Sequence, residues 1–347
     1  MPLTQLSFQP GLDTENTPTG AEGKWVDGDK IRFRKGLPQK IGGWTKFSTA
    51  YYVGVGRALE QWFALSGSRF EALGTDRKVY AFTGGNNQDI TPIRSTDALV
   101  NAISTTTSSN IVTITDSGHG ASQGDFVTLS NVSATVGGLT ASVLDAEYEI
   151  LTISNTNAYT VQSSGTANAN VAPTANCTAM YQISTGPSVQ TFGYGWGSGT
   201  WNNGTWGTPR STSNVILDAR LWSINNWGED LILTQKDGAT YEWDTSLGMS
   251  NNRATIVANA PTNSTLSMIS TETRHVVCLG TEIAIGNTAS VDKMFIRWSD
   301  QENYNQWTPN VTNSAGSQRI AGGSEIRCAR PAKGTMLIWT DTTMQSM

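Results

Sequence analysis

Short stretches of alternating apolar and polar residues recur along most of the chain, each closed by a turn-forming cluster. In KIRFRKGLPQKIGGW, residues 30–44, Ile31 and Phe33 alternate with Arg32 and Arg34. This is the period of a half-buried strand. Gly36 and Pro38 break the run, and Gly42-Gly43-Trp44 breaks the next one. Residues 1–29 show no periodic apolar face and are punctuated by Pro10-Gly11, Pro18 and Gly20. They are read as an extended N-terminal arm that runs into a hairpin.

From residue 30 onward a strand–turn–strand device repeats. Residues 69–93 give a strand, a turn at Gly74-Thr75-Asp76 and a second strand through Val79 to Phe82. Residues 229–245 give Leu231-Ile232-Leu233, the turn Lys236-Asp237-Gly238, then Tyr241-Glu242-Trp243. Asp-Gly between alternating hydrophobics is the strongest short-range hairpin signal. A third copy spans 275–309, with Met294 to Trp298 as its outgoing strand. A fourth spans 325–341, with a turn at Pro331 to Gly334 and an outgoing strand from Met336 to Trp339. The outgoing strands centre near residues 81, 242, 296 and 338. The last two gaps, about 54 and about 42 residues, bracket the roughly 40–50 of a propeller blade.

The first gap is too long for one unit, and its composition differs. No Lys or Arg occurs between Arg94 and Arg210, and residues 97–185 are rich in Thr, Ser, Asn and Ala. Strands are expected at Ile111 to Ile114 and Phe126 to Leu129, joined by a turn at Gly118 to Gly124, with a hairpin through Asn155-Thr156-Asn157. The expected fold is therefore all-β, with β-propeller-like repeats, incomplete or truncated, and an inserted small β-sandwich or β-barrel domain. Its parts are an arm over 1–29, the first part of the propeller over 30–96, the insert over 97–185 and the remaining blades over 186–347. The stretch 192–210, with Trp196, Trp201 and Trp206 among glycines, reads either as an interface loop or as a loop packed on its own chain.

Composition supports many short strands. The 347 residues include 35 Gly and 12 Trp, and only 15% are charged, against roughly 25% in an average soluble domain. The formal charge of −5 argues against wrapping nucleic acid through phosphate neutralisation. The cysteines Cys177, Cys278 and Cys328 form no metal-like cluster and are expected as reduced thiols. The first 15 residues lack the basic and apolar segments of a signal peptide, and no apolar run reaches the length of a membrane span.

Candidate chemistry is sparse. His119 lies between Asp116 and Asp125 in DSGHGASQGD and reads as a turn histidine bonded to backbone, as does His275 at a strand start. Asp27 and Asp29 flank Gly28 without the further ligands of a calcium loop. Glu147 and Glu149 share one strand face and are read as solvated rather than as a glycosidase pair. No catalytic, cofactor-binding or metal-binding residue is assigned, no cofactor is expected, and the chain is read as a non-enzyme. Lys30, Arg32, Arg34, Lys35, Lys40 and Lys46 form the one basic concentration. They serve as a solvated face, a partner contact or a DNA contact.

The stretches Phe8 to Gly11, Trp25 to Arg34 and Gly36 to Trp44 resemble the opening of tail hub or nozzle proteins of short-tailed bacteriophages, also called packaged DNA stabilisation proteins. GTDRKVYAF (74–82), residues 222–244 and FIRWSDQENYNQW (295–307) are similar as well. The turn formed by His119, Gly120, Gly124, Asp125 and Val127 resembles one found in small β-domains of phage tails, with Ala121 where Leu is common. The resemblance implies a structural virion protein of the tail, assembled in the host cytoplasm. It implies a homohexameric ring below the portal and its head-to-tail adaptor proteins, beside tail fibre or spike and needle or plug proteins. Such a ring retains packaged double-stranded DNA and conducts it during genome ejection, without specific recognition and without stable membrane association. The chain stops directly after an outgoing strand, where such proteins run further, so a shortened version, a fragment or half of a split protein is expected. The alternative is a carbohydrate-binding or carbohydrate-active β-propeller.

Overall fold

The computed structural model describes residues 8–43, 45–46, 48, 51–189, 218–250 and 252–347. The Gly- and Trp-rich stretch 192–210 lies outside the described residues. The chain divides into two compact units, residues 1–49 and 50–347.

In the first unit, β1 (Ile31–Arg34) and β2 (Leu37–Lys40) form an antiparallel hairpin. Its two turn residues, Lys35 and Gly36, both have positive φ, 52° and 83°, the geometry that matches strand twist. Pro38 does not end the strand. It sits inside β2 opposite Phe33, where an edge position tolerates the missing N–H. The arm is looped back rather than extended. Gln9 N–H donates to the Gly23 carbonyl at 2.9 Å and Asp13 N–H to that of Trp25 at 2.8 Å. Phe8 packs on Trp25 with ring centroids 5.4 Å apart. The turn through Pro18 and Gly20 brings these segments together, and Lys24 closes it on Asp13 at 2.8 Å. Hydrogen bonds from Lys24 and Asn16 hold the Asp13 carboxyl at about 2.

The second unit is predominantly β, in several separate antiparallel sheets. Sheet one comprises β3 (Gly56–Phe63), β4 (Arg69–Thr75), β5 (Val79–Thr83) and β6 (Asn86–Asp89). Then come β7 (Ile93–Leu99), β8 (Ile103–Thr105), β9 (Ile111–Thr115), β10 (Phe126–Ser130), β11 (Glu147–Asn155), β12 (Ala158–Gln162), β13 (Val171–Thr174) and β14 (Cys177–Gln182). These eight make one sheet in the order β13-β8-β9-β12-β11-β10-β14-β7. The long strand β11 pairs with β10 through Glu147 to Glu149 and with β12 from Ile150 onward, the second ladder carrying two register shifts. The sheet thereby turns about β11 around its own core of Val112, Ile114, Val127, Tyr159 and Tyr181. The expected strands at 111–114 and 126–129 exist but are not neighbours. β9 pairs with β8 and β12, whereas β10 pairs with β11 and β14.

Three further sheets follow in chain order. Sheet two is β15 (Trp222–Trp227), β16 (Asp230–Gln235), β17 (Thr240–Trp243) and β18 (Thr255–Ile256). Sheet three is β19 (Ser264–Ile269), β20 (Val276–Thr281), β21 (Phe295–Trp298) and β22 (Gly316–Arg319). Sheet four is β23 (Ile326–Ala332), β24 (Thr335–Thr340) and β25 (Met344–Ser346). Pro331 lies within β23 opposite Met336, so the turn is shorter than expected.

These sheets pack in sequence order, each through its first strand: β3 beside β15, β15 beside β19, β19 beside β23. A separate apolar core fills each junction. Trp62, Ala72, Val79, Leu231, Leu233 and Trp243 join sheets one and two. Ile232, Val276, Cys278 and Trp307 join two and three. Met268, Leu279, Ile296, Ile326 and Ile338 join three and four. Backbone hydrogen bonds cross each junction: Ala254 N–H to Ile90 C=O, Asp237 N–H to Ser264 C=O, and Ile326 N–H to Lys293 C=O. Among the described residues no strand pairing closes the row.

Sheets one and two approach closely because Gly74 has no side chain. A Cβ there would stand 2.9 Å from Trp222 Cδ1. The indole instead lies flat and donates Nε1–H to the Thr75 carbonyl at 2.8 Å. Gly74→Val is expected to destabilise the chain by about 1–3 kcal/mol through overpacking, read as a lowered urea midpoint. An unchanged midpoint would show that this junction is looser than its geometry.

Candidate functional site

The first strands that carry the packing also border one cavity of about 440 Å³. Its wall is drawn from β3, β15, β19, β23 and their flanking residues, with Lys236 from the end of β16. Strand edges, not faces, meet there, so polar and charged side chains can line it while the faces stay in the apolar junctions. Four cationic residues, Arg57, Lys236, Arg327 and Arg330, face two carboxylates, Glu60 and Glu325. Arg327 pairs with Glu325 at 3.2 Å, Lys236 with Asp218 at 2.8 Å, and Arg57 donates to the Ser188 carbonyl. Arg330 reaches no carboxylate at ion-pair distance among the described residues. It acts on Glu60 from further off, where burial raises the carboxyl above its usual range and Arg330 partly offsets that. The hydrogen bond from Lys236 keeps Asp218 low, helped by the charges of Lys293 and Arg327 against a burial effect that raises it. Ser267, 4% exposed, lines the same cavity, and its Oγ makes no hydrogen bond among the described residues.

None of these residues was singled out by sequence reasoning. Apart from Lys236, which follows β16 and reads only as a turn residue, their signal was their place on or beside the first strand of each repeat, and the repeats were recognised from their outgoing strands instead.

The residues that sequence reasoning did weigh are dispersed. His119 is buried, accepts from Ala121 N–H at Nδ1 (3.0 Å) and sits 3.2 Å through Nε2 from the Asn155 carbonyl. Asp116 accepts from Tyr181 Oη at 2.5 Å. Burial holds Tyr181 and Tyr159 far above the ordinary phenol range. Asp125 accepts from the N–H groups of Ser122 (2.8 Å) and Thr185 (2.9 Å), tying the turn to the end of the insert. His275 Nδ1 contacts the Ser299 carbonyl at 2.9 Å. Burial raises the thiols of Cys177 and Cys278 to about 11, and Cys328 is exposed; all three are free. Among the described residues no group of three or more His, Cys, Asp and Glu could hold a metal ion. No described helix is long and apolar enough to cross a membrane.

Glu147 and Glu149 lie on the exposed face of β11, as the sequence reading has them, and both are ion-paired there. Glu149 pairs with Arg77 at 2.5 Å. Glu147 pairs with Lys78 and, at 3.5 Å, with Arg253, and it accepts from Gln182 at 2.6 Å. Lys78 is 3% exposed. It also holds Asp89 at 2.9 Å and lies over the Phe126 ring, 4.3 Å from its centroid. The network fastens the eight-stranded sheet to sheets one and two; within that sheet the one cation, Arg94, is spent on the His119 carbonyl.

Comparison with known proteins adds little. No known protein family and no curated protein matches the sequence. Among solved structures the chain is similar to the phage phi92 endosialidase, with 12% identity and a TM-score of 0.26, over 87% of this chain. The match spans 43% of that protein's length. So distant a likeness assigns neither fold nor activity.

Burial raises the Asp89 carboxyl, but Lys78, Arg253 and the Thr91 hydrogen bond outweigh it and leave it below its usual value. A carboxyl lowered in the folded state contributes stability that is complete above its unfolded value near 4 and is lost as pH falls through the folded one. Lys78→Met is expected to cost about 2–4 kcal/mol near neutral pH, because Asp89 and Glu147 lose a buried partner. The loss should shrink below about pH 3. Denaturant titrations at both pH values check this, and an equal loss at both would refute the electrostatic account.

Proposed function

We propose that the chain is a structural protein of a short phage tail, in which the successive sheets are blades of a β-propeller and the eight-stranded insert is a small β-barrel or sandwich. In this reading copies form a homohexameric nozzle or hub ring below the portal and adaptor, retaining packaged DNA and passing it outward at ejection. The observation that carries the reading is the set of tail-hub-like stretches at Phe8 to Gly11, Trp25 to Arg34 and Gly36 to Trp44. It is supported by four-, four-, four- and three-stranded antiparallel sheets packed in chain order through their first strands, the arrangement that blades around an axis require. Cyclic symmetry closes heterologous contacts between identical subunits into a ring. The alternative carbohydrate-active reading needs aromatic platforms beside a carboxylate pair. The pair it would use, Glu147 and Glu149, is engaged by Lys78 and Arg77.

Cryo-electron microscopy of the assembled particle tests the proposal. The expected result is a sixfold layer of this chain under the adaptor. A threefold spike, or a single copy on the axis, would overturn it. Saturable glycan binding by a chain absent from the tail would establish the alternative.

A further inference from the structure

We propose that the cavity bordered by the four first strands is a binding site for a small oxyanion, a carboxylate or phosphate group on a small molecule. This does not rest on the tail reading. Arg57 comes from β3, while Arg327 and Arg330 come from β23, the first strands of the sheets at the two ends of the row. The fold, not local sequence, brings three guanidinium groups and Lys236 to one space. Like charges gathered between low-dielectric walls repel one another. Glu60 and Glu325 line the cavity and Asp218 pairs with Lys236, so three carboxylates oppose four cations and one positive charge is left over. An added anion would offset it.

The donors suit that ligand. A guanidinium presents a planar fork that takes a carboxylate or phosphate bidentately, and the Arg330 fork is uncommitted to any carboxylate among the described residues. Ser267 is one of the wall residues, though its hydroxyl is wholly covered and makes no hydrogen bond among the described residues. Asn225, also on the wall, fixes that strand by donating Nδ2–H to the Ser267 carbonyl at 3.1 Å. The volume of about 440 Å³ falls within the roughly 300–1,000 Å³ of small-molecule sites.

Calorimetric titration of the full chain at low ionic strength, with inorganic phosphate in one arm and glucuronate in the other, tests the site. Saturable binding of at least one anion is expected, and the stronger arm identifies phosphate or carboxylate as the natural group. Arg330→Gln should weaken binding about tenfold. Arg330→Lys keeps the charge and the fold but loses the fork, so it should weaken binding as well. Arg32→Gln with Arg34→Gln, on the hairpin of the other unit, should leave the affinity unchanged. Absence of saturable binding in both arms would overturn the proposal. So would full affinity in both Arg330 variants, or loss of binding in the hairpin variant alone.

Discussion

The two middle sheets of the row each have two apolar faces, and the need to bury both organises the molecule. Sheet two buries Leu231 and Leu233 against sheet one and Ile232 against sheet three. These residues are consecutive in β16, so the period-two alternation of one strand feeds two different cores. Sheet three repeats the device: Val277 and Leu279 turn toward sheet four, Val276 and Cys278 toward sheet two. A four-stranded sheet built this way cannot stand alone, and its neighbours are fixed by chain order. Gly74 shows how tightly the first junction closes, since the Trp222 indole occupies the space a side chain would need. The cavity is a consequence of the same constraint. Once faces are committed to junctions, only strand edges remain at the centre, and edges can carry charge.

The insert obeys a different constraint. It contains six carboxylates, Asp97, Asp116, Asp125, Asp145, Glu147 and Glu149, and no Lys or Arg within 97–185. A solvated acidic surface would be the simple outcome, yet most of these groups are used. Asp116 is satisfied by Tyr181, Asp125 and Asp145 by backbone N–H groups. Glu147 and Glu149 take their cations from Arg77, Lys78 and Arg253, which lie on sheet one and beside sheet two. A domain whose acidic face is tied down by cations of other sheets has its orientation set by where those cations stand. Buried ion pairs add little net stability compared with apolar contacts. Their contribution here is to fix which face of the insert meets the host sheets.

The sequence was most legible where the pattern was local. The Asp237-Gly238 turn between β16 and β17, and the Asn155 to Asn157 turn between β11 and β12, stand where the residues placed them. Alternation in Ile111 to Ile114 and Phe126 to Leu129 identified strands but not partners. Register and neighbour choice in an eight-stranded sheet depend on contacts far apart in sequence, which period and turn chemistry do not encode. The arm was misjudged for a related reason. Proline and glycine forbid a helix but do not distinguish an extended segment from one that doubles back, and the Leu12–Trp25 bridge and the Phe8–Trp25 contact decide it. The ion pairing of Glu147 was not legible because Lys78, the residue that engages it, is about seventy positions away.

Charge is thereby sorted into regions with different physics, although the chain as a whole is only mildly acidic. In the hairpin unit, Lys30 and Asp29 are paired at 3.7 Å with both side chains more than four-fifths exposed. Such pairs contribute little and are screened by salt within a Debye length. At the insert junction, Lys78 is almost wholly withdrawn from water and its pairs are screened far less. The central cavity lies between these limits: Lys236 is largely covered, whereas Arg327 is more than half exposed. Rising ionic strength should therefore act first on the hairpin, then on the cavity, and least on the junction. That order follows from burial alone, because the same few residue types supply the charge in all three places.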